Sequence, residues 1–363
     1  MDLPLRAMRG AAFGLFILIA KMAKMDVNNP GEFQTMRFRL LAALFAGLIA
    51  SPVLAQGDAW PSRPITLMGG FPNGAGTDIY ARRLAEPLSR ALGQPVVVDS
   101  RTGAGGNIGS DFVAKSRPDG YTFYFGTAGT HAINAALYKN LPFDVQRDFT
   151  PVALLGDVPN VMIVSPEKRP QFQNCAQVLA AARARPQAVS YASTGNGAST
   201  HLAGAQFAIT ANLDLLHVPY RGQPGAMTSL LAGDTDLFFN QSGAAMGPIR
   251  QGQVRPLAVM SPARLAALPD VPTVAEACGT QPMDTSTWYA ILAPAALPEP
   301  ILRRMNTEIN RIITTPEFRT WLVQDQAITP PTAPNSPEQF RETLARDITR
   351  WAEVVRRSGA TVD

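Results

Sequence analysis

Cysteine, histidine and charge are what this chain has least of: two cysteines, three histidines and 17% charged residues in 363. Each scarcity closes off a class of function. The histidines are His131, His201 and His217; with no Cys-x-x-Cys or His-Glu-x-x-His, no metal and no cofactor is expected. A phosphate-cradling Gly-x-x-x-x-Gly-Lys-Ser/Thr is absent, and so is the Gly-x-Ser-x-Gly turn of serine hydrolases. Lysine and arginine never run together with interleaved aromatics, which sets nucleic acid aside. The formal charge of +4 sits early in the chain: residues 1–55 hold six Lys/Arg against three Asp/Glu, leaving 26 against 25, a net +1, for the rest. Cys175 and Cys278 permit one disulfide in an oxidising compartment; two unpaired buried thiols fit as well, and their spacing does not choose.

What the chain does have is apolar residues, 46% of the total, enough for a sizeable core divided in two. Met36 opens "MRFRLLAALFAGLIASPVLAQ", with Arg37 and Arg39 as a basic start, an apolar core from Leu40 to Ala50, and Val53-Leu54-Ala55 before a cut at Gln56. That is a secretory signal in all three parts. The apolar run is too short for a membrane anchor and stops at Ser51-Pro52. Residues 1–35 fit no part of this plan and are expected to be an untranslated or processed extension, with translation starting at Met36.

From Ile65 to Met260, β-branched or aromatic runs alternate with helix-like segments, which argues for βα units and mostly parallel sheets. ITLMGGF leads through "GGFPNGAGTD" into a helix from about Thr77 to Leu92, with Thr77 or Asp78 as its cap and a kink at Pro87. PVVVDS, the glycine loop RTGAGGNIG, a helix over DFVAKS and the strand YTFYFG follow, ending in the loop TAGTH. The grammar repeats with VMIVSP, a helix capped by Asn174, AVSYAS, and STGNGAST before HLAGAQFAITA. After TWYAILAP come three helix-like segments without a strand. The last has a capping box, Ser336-Pro337-Glu338-Gln339, and a core stripe of Phe340, Leu344, Ile348, Trp351, Val354 and Val355.

Four loops at strand ends share one composition: Gly, Ser, Thr and Asn, without lysine. In open α/β sheets ligands bind at the carboxyl ends of strands, where loop amides and helix starts form anion sites. A dinucleotide fingerprint fails, because Gly74-Ala75-Gly76 is followed by Ile79 where the third glycine belongs, and Gly103 to Gly109 overshoots by one residue. His201 reads as a hydrogen-bonding first-turn residue rather than a base. A cleft whose backbone amides hold a small anion without reacting is the reading that remains.

The phrases "GGFPNGAGTDIYAR", "LGQPVVVDSRTGAGGNIGSDFVAKSRPDGYT", "GTAGTHAINAALY", "YASTGNGASTHLAGAQF", "HVPYRGQPGAMTSLLAGDTDLFFNQ" and "LPDVPTVAEA" resemble the extracytoplasmic substrate-binding proteins of tripartite tricarboxylate transporters, the Bug family. The resemblance spans about Trp60 to Thr361. It implies a periplasmic-binding-protein-like α/β fold: lobe 1 from 56–157, lobe 2 from 158–285, and a crossover strand with a helical C-terminal return over 286–363. The hinge would lie near Leu154 to Val161 and Ser286 to Leu292. It implies a periplasmic monomer that binds a small organic anion, a carboxylate, and delivers it to membrane permease subunits.

By matching motifs, the resemblance gives the ligand Phe71, Asn73, Gly74, Ala75, Gly76 and Thr77 from the first loop, and Thr127, Ala128 and Thr130 from the third. Ser193, Gly195, Asn196, Gly197, Ser199 and Thr200 come from the fourth, with Pro219, Tyr220, Arg221 and Asn240 closing the far side. The glycines at 103, 105, 106 and 109 are expected as structural turns, and Asp78 as a cap. Tyr220 and Trp288 fit either core or cleft. Gly69-Gly70, Asn73-Gly74-Ala75 and Arg221 depart from the family pattern, and bear on which ligand is bound. Two rival readings share the cleft: an exported α/β enzyme acting through His131 or His201, and a ligand-presenting sensor.

Overall fold

The period-two apolar runs become ten strands in two five-stranded sheets. These are β1 (Ile65–Gly69), β2 (Val96–Ser100), β3 (Thr122–Thr127), β4 (Phe149–Val158), β5 (Asn160–Val164), β6 (Ser190–Ser193), β7 (Leu216–Pro219), β8 (Leu237–Gln241), β9 (Arg255–Val259) and β10 (Thr287–Pro294). The computed structural model describes residues 60–362, so the expected extension over 1–35 and signal over 36–55 lie outside the described residues. The helices are α1 (Gly76–Leu92), α2 (Asn107–Ala114), α3 (Asn134–Leu137), α4 (Cys175–Ala184), α5 (Ser199–Ala211), α6 (Gln223–Ala232), α7 (Ser242–Arg250), α8 (Val274–Cys278), α9 (Glu299–Ile313), α10 (Pro316–Thr320) and α11 (Pro337–Ser358).

The first sheet runs β2-β1-β3-β10-β4 and the second β7-β6-β8-β5-β9. Each is mixed rather than mostly parallel. The βα units supply the parallel pairs β1–β2, β1–β3, β6–β7 and β6–β8, while β10 and β5 each run antiparallel to both neighbours. The reversal has a topological cause: β5 and β10 are the strands that enter a sheet from the other lobe.

Alternation sorts the core. In the first sheet Ile65, Leu67, Phe123, Phe125 and Ile291 pack under α1 and α9, while Met68, Tyr124, Trp288 and Leu292 face α11 and the helices beside it. The second sheet divides likewise: Met162, Tyr191 and Phe239 face α4 and α5, and Val161, Ala192 and Phe238 face α6. Trp288 is core, 2% exposed, its Nε1 donating to Asp347 Oδ2 at 2.8 Å. Tyr220 is half-buried against the α6 face of the second sheet. Cys175, at the start of α4, is disulfide-bonded to Cys278, at the end of α8, with Cα atoms 5.3 Å apart.

Strand register decides which edges meet. Thr127, ending β3, pairs with Tyr289 near the start of β10, and Val158, ending β4, pairs with Thr287. The carboxyl ends of β1, β3 and β4 therefore share one edge. Pro159 alone separates β4 from β5, whose Asn160 pairs with Gln241 at the carboxyl end of β8. Both crossings, 158–160 and 284–287, thus join carboxyl edge to carboxyl edge, and the loops of the two lobes are brought to the same side of their sheets.

Candidate functional site

At the first of these edges the chain leaves β1 and enters α1. The sequence expectation of Thr77 or Asp78 as cap is corrected: α1 starts at Gly76, its N-cap is Ala75 in extended conformation (φ −65°, ψ 158°), and no side chain caps it. It runs unbroken through Pro87 to Leu92. Asp78 instead accepts from the Gly74 amide at 2.9 Å and pairs with Arg82. Burial would raise its carboxyl, but Arg82 and the amide outweigh burial and hold it below the usual carboxylate range. The amides of Gly76, Thr77 and Asp78, which point out of a helix start, are left without a side-chain acceptor.

The second lobe repeats the arrangement. α5 begins at Ser199, and its N-cap is Ala198 (φ −63°, ψ 155°), again without a side-chain cap. Alanine is among the poorest N-caps, forgoing about 1 kcal/mol against Ser or Asp. α1, α2, α5, α6 and α7, which begin at the facing edges, all lack side-chain caps, as do α3 and α9. Asn174, Thr273, Thr315 and Ser336, on helices that begin elsewhere, each accept from a first-turn amide.

Around these helix starts the loops brace one another. Gly106 sits at φ +93°, and a Cβ there would lie 2.5 Å from Thr130 Cγ2 and 3.4 Å from Phe71 Cζ, so three loops meet at a point only glycine fits. Asn73 Oδ1 accepts from Ser100 Oγ at 3.3 Å. Thr127 and Thr130 bond reciprocally: each backbone amide donates to the other's hydroxyl at 3.1 Å, and Thr130 Oγ1 lies 2.7 Å from His131 Nδ1. With Ala128 they are buried, and they set the loop's shape from within.

In the second lobe Thr200 Oγ1 accepts from Thr194 N at 2.9 Å, and Tyr220 N donates to Ser193 O at 3.0 Å. Gly195, Ser199 and Thr77 are partly exposed, while Asn196, Pro219 and Arg221 are exposed. Arg221 makes no ion pair among the described residues. Asn240, 1% exposed at the end of β8, has an Nδ2 without an acceptor, a buried donor that calls for a partner. Gly197 (φ +72°) touches the other lobe: a Cβ would fall 2.0 Å from Leu137 Cδ2. Leu202 of α5 packs in the α11-side core of the first sheet.

One residue, His217, escaped the sequence reading of the site. His217 Nε2 lies 2.7 Å from Ser193 Oγ, and its ring stacks on His201; neither follows from spacing, because the contact depends on β6–β7 register. The pair does not read as a nucleophile and base, since Ser193 is fully buried and no carboxylate pairs with either ring among the described residues. A concavity of about 390 Å³ lies elsewhere, on the first lobe between α1, α9 and α10, lined by Arg83 with Glu317, Arg90 with Glu86, and Arg311.

Two lobes joined by two crossing segments, with facing carboxyl edges, define a periplasmic-binding-protein fold. Solved structures share it. An adipate-bound protein of Rhodopseudomonas palustris matches with TM-score 0.77 at 32% identity, over 83% of this chain and 99% of its own. MatC of the same organism, with bound malate, matches with TM-score 0.72 at 29% identity, over 82% and 100%. The protein BugT of Bordetella pertussis is 36% identical over 86% of this chain and 94% of its own length. The model of the tripartite tricarboxylate transporter family receptor matches residues 80–360. The chain belongs to that receptor family.

Proposed function

We propose that this chain captures a small carboxylate in the periplasm and hands it, unchanged, to the membrane permease of a tripartite tricarboxylate transporter. One observation carries the reading: two helix starts, one from each lobe, share an alanine N-cap of nearly identical geometry at facing edges. Left uncapped, they await a negative group, which is worth about 0.3–1 kcal/mol at each helix end and up to about 2 when partly buried. A carboxylate is the class that the adipate-bound and malate-bound relatives hold.

In this reading the ligand takes amides from Gly74 to Thr77 on one side and from Gly195 to Thr200 on the other. Arg221 offers a bidentate fork, and Asn240 Nδ2 the buried donor. The hinge is the pair of crossings at 158–160 and 284–287; a ligand bridging both lobes favours closure by its differential affinity. The signal ending near Ala55 would export the chain, which acts as a monomer. No helix among the described residues is long and apolar enough to cross a membrane.

The test is a thermal-shift scan against di- and tricarboxylates, acidic amino acids and aromatic acids, with mass spectrometry of the recovered compound. A ligand at 100 times its Kd adds roughly 2.7 kcal/mol of stability. Adipate or malate is the expected class of hit, recovered intact, with Arg221→Ala weakening it about tenfold or more. No shift from any carboxylate, or a compound consumed, would sink the reading.

A further inference from the structure

The rings of His201 and His217 lie parallel, 4° apart in plane with centroids 3.8 Å apart, and Tyr191 stacks on His217 at 4.9 Å. Each ring holds one end of the Ser193–Thr200 loop. His201 Nδ1 accepts from the Gly197 amide at 3.0 Å, so that nitrogen carries no proton. His217 Nε2 contacts Ser193 Oγ at 2.7 Å, and the same hydroxyl accepts from Gly195 N at 3.2 Å. The loop is therefore pinned at 193–195 by one imidazole and at 197 by the other. Its far side rests on Leu137 of the first lobe, and Leu202, next to His201 on α5, packs in the same lobe's core.

We propose that His201 and His217 are positioning residues, which keep the Ser193–Thr200 loop in its anion-receiving shape only while both rings are neutral, so that acidification loosens the loop and releases the ligand. The inference rests on the proposed role of that loop in the ligand cleft. A protonated Nδ1 cannot accept from Gly197, and charging both rings would set like charges face to face. Burial holds both imidazoles down to about 4, His217 also through the neighbouring His201. The surroundings supply nothing to offset the charge. Facing the pair are Tyr191 from β6, Ser193 and the Gly197 amide, with Phe239 of β8 behind Tyr191; neither ring makes an ion pair among the described residues.

The chain has only three histidines, so ring and amide NMR on the ligand-free protein from pH 7.5 to 4 decides the first half. The expected result is that both rings stay neutral to about pH 5.5 or below, and that the Gly197 amide moves with the His201 midpoint. Either ring titrating like a free imidazole, or an indifferent Gly197 amide, overturns the proposal. The second half compares adipate and malate affinity at pH 7.5 and 4 in the wild type, His201→Gln and His217→Gln. The acid's own protonation is common to all three proteins and cancels in the ratio. With each ring about half protonated at pH 4 in the ligand-free protein, the wild type is expected to lose about twofold more than either variant on acidification, equivalent to about 0.4 kcal/mol. Equal losses, or tighter wild-type binding in acid, overturn it. Should neither acid bind at either pH, the solute reading fails on its own, and the ring and amide titration still decides whether the pair holds the loop.

Discussion

Lowering the pH from 7 to 5 should cost the folded protein about 4 kcal/mol through His131 and His201. His131 is fully buried among Tyr124, Phe143 and Phe149, its Nε2 has no partner, and burial takes it down to about 3. His201 is 8% exposed and held down to about 4. An imidazole in the unfolded chain protonates near pH 6.5, so on acidification the unfolded state takes up protons that the folded state refuses. Stability is therefore full above about 6.5 and is lost as the pH falls towards the folded values. Each neutral ring removes about 1.4 kcal/mol per unit below pH 6, or about 2 by pH 5. His217 adds to this with a discount for its partial exposure. Asp157, at the crossing between the lobes, works in the opposite direction: partial desolvation of its carboxyl and the neighbouring Asp284 and Asp347 raise it, but the residue as a whole is open to solvent, so water screens much of the effect. Urea unfolding at pH 7, 6 and 5 measures the slope. His131→Asn will lower the overall level, but its slope below pH 6 should be shallower by about 1.4 kcal/mol per unit. Equal slopes in wild type and variant would refute the reasoning.

Two further outcomes follow from packing. The Cys175–Cys278 disulfide closes a sequence separation of 103 residues; Cys278→Ser should lose roughly 2–4 kcal/mol in urea unfolding, and reductant should then lower the wild-type midpoint but not the variant's. Gly106→Ala places a Cβ 2.5 Å from Thr130 Cγ2 at φ +93°. Left-handed strain of about 1–2 kcal/mol and overpacking of about 1–3 together predict a loss of roughly 2–5, and a change under about 0.5 would show that the three loops do not meet there.

Much of the local structure was legible. Asn174 caps α4 through the Gln177 amide, and Ser336 caps α11 through Gln339. Half of the expected capping box is redirected, because the Gln339 side chain accepts from Asn335 N rather than Ser336 N. The core stripe of α11 buries Phe340, Leu344, Trp351 and Val355. The misread start of α1 is instructive: Thr77 and Asp78 are good cap residues by type, yet the chain leaves the sheet edge early enough that Ala75 takes the position and the helix end stays open.

By itself the sequence determined the strands and helices, whose periodicities are local, the polar lysine-free loops between them, and the ordered motifs that mark the receptor family. Strand direction was not among these: alternation reads the same parallel or antiparallel, so the antiparallel runs of β5 and β10 had to come from the crossings between lobes. The same holds for the cysteine bond, the facing of two uncapped helix starts, and the stacking of His201 on His217. These contacts join residues set apart along the chain, and register and packing, not propensity at either residue, bring them within reach.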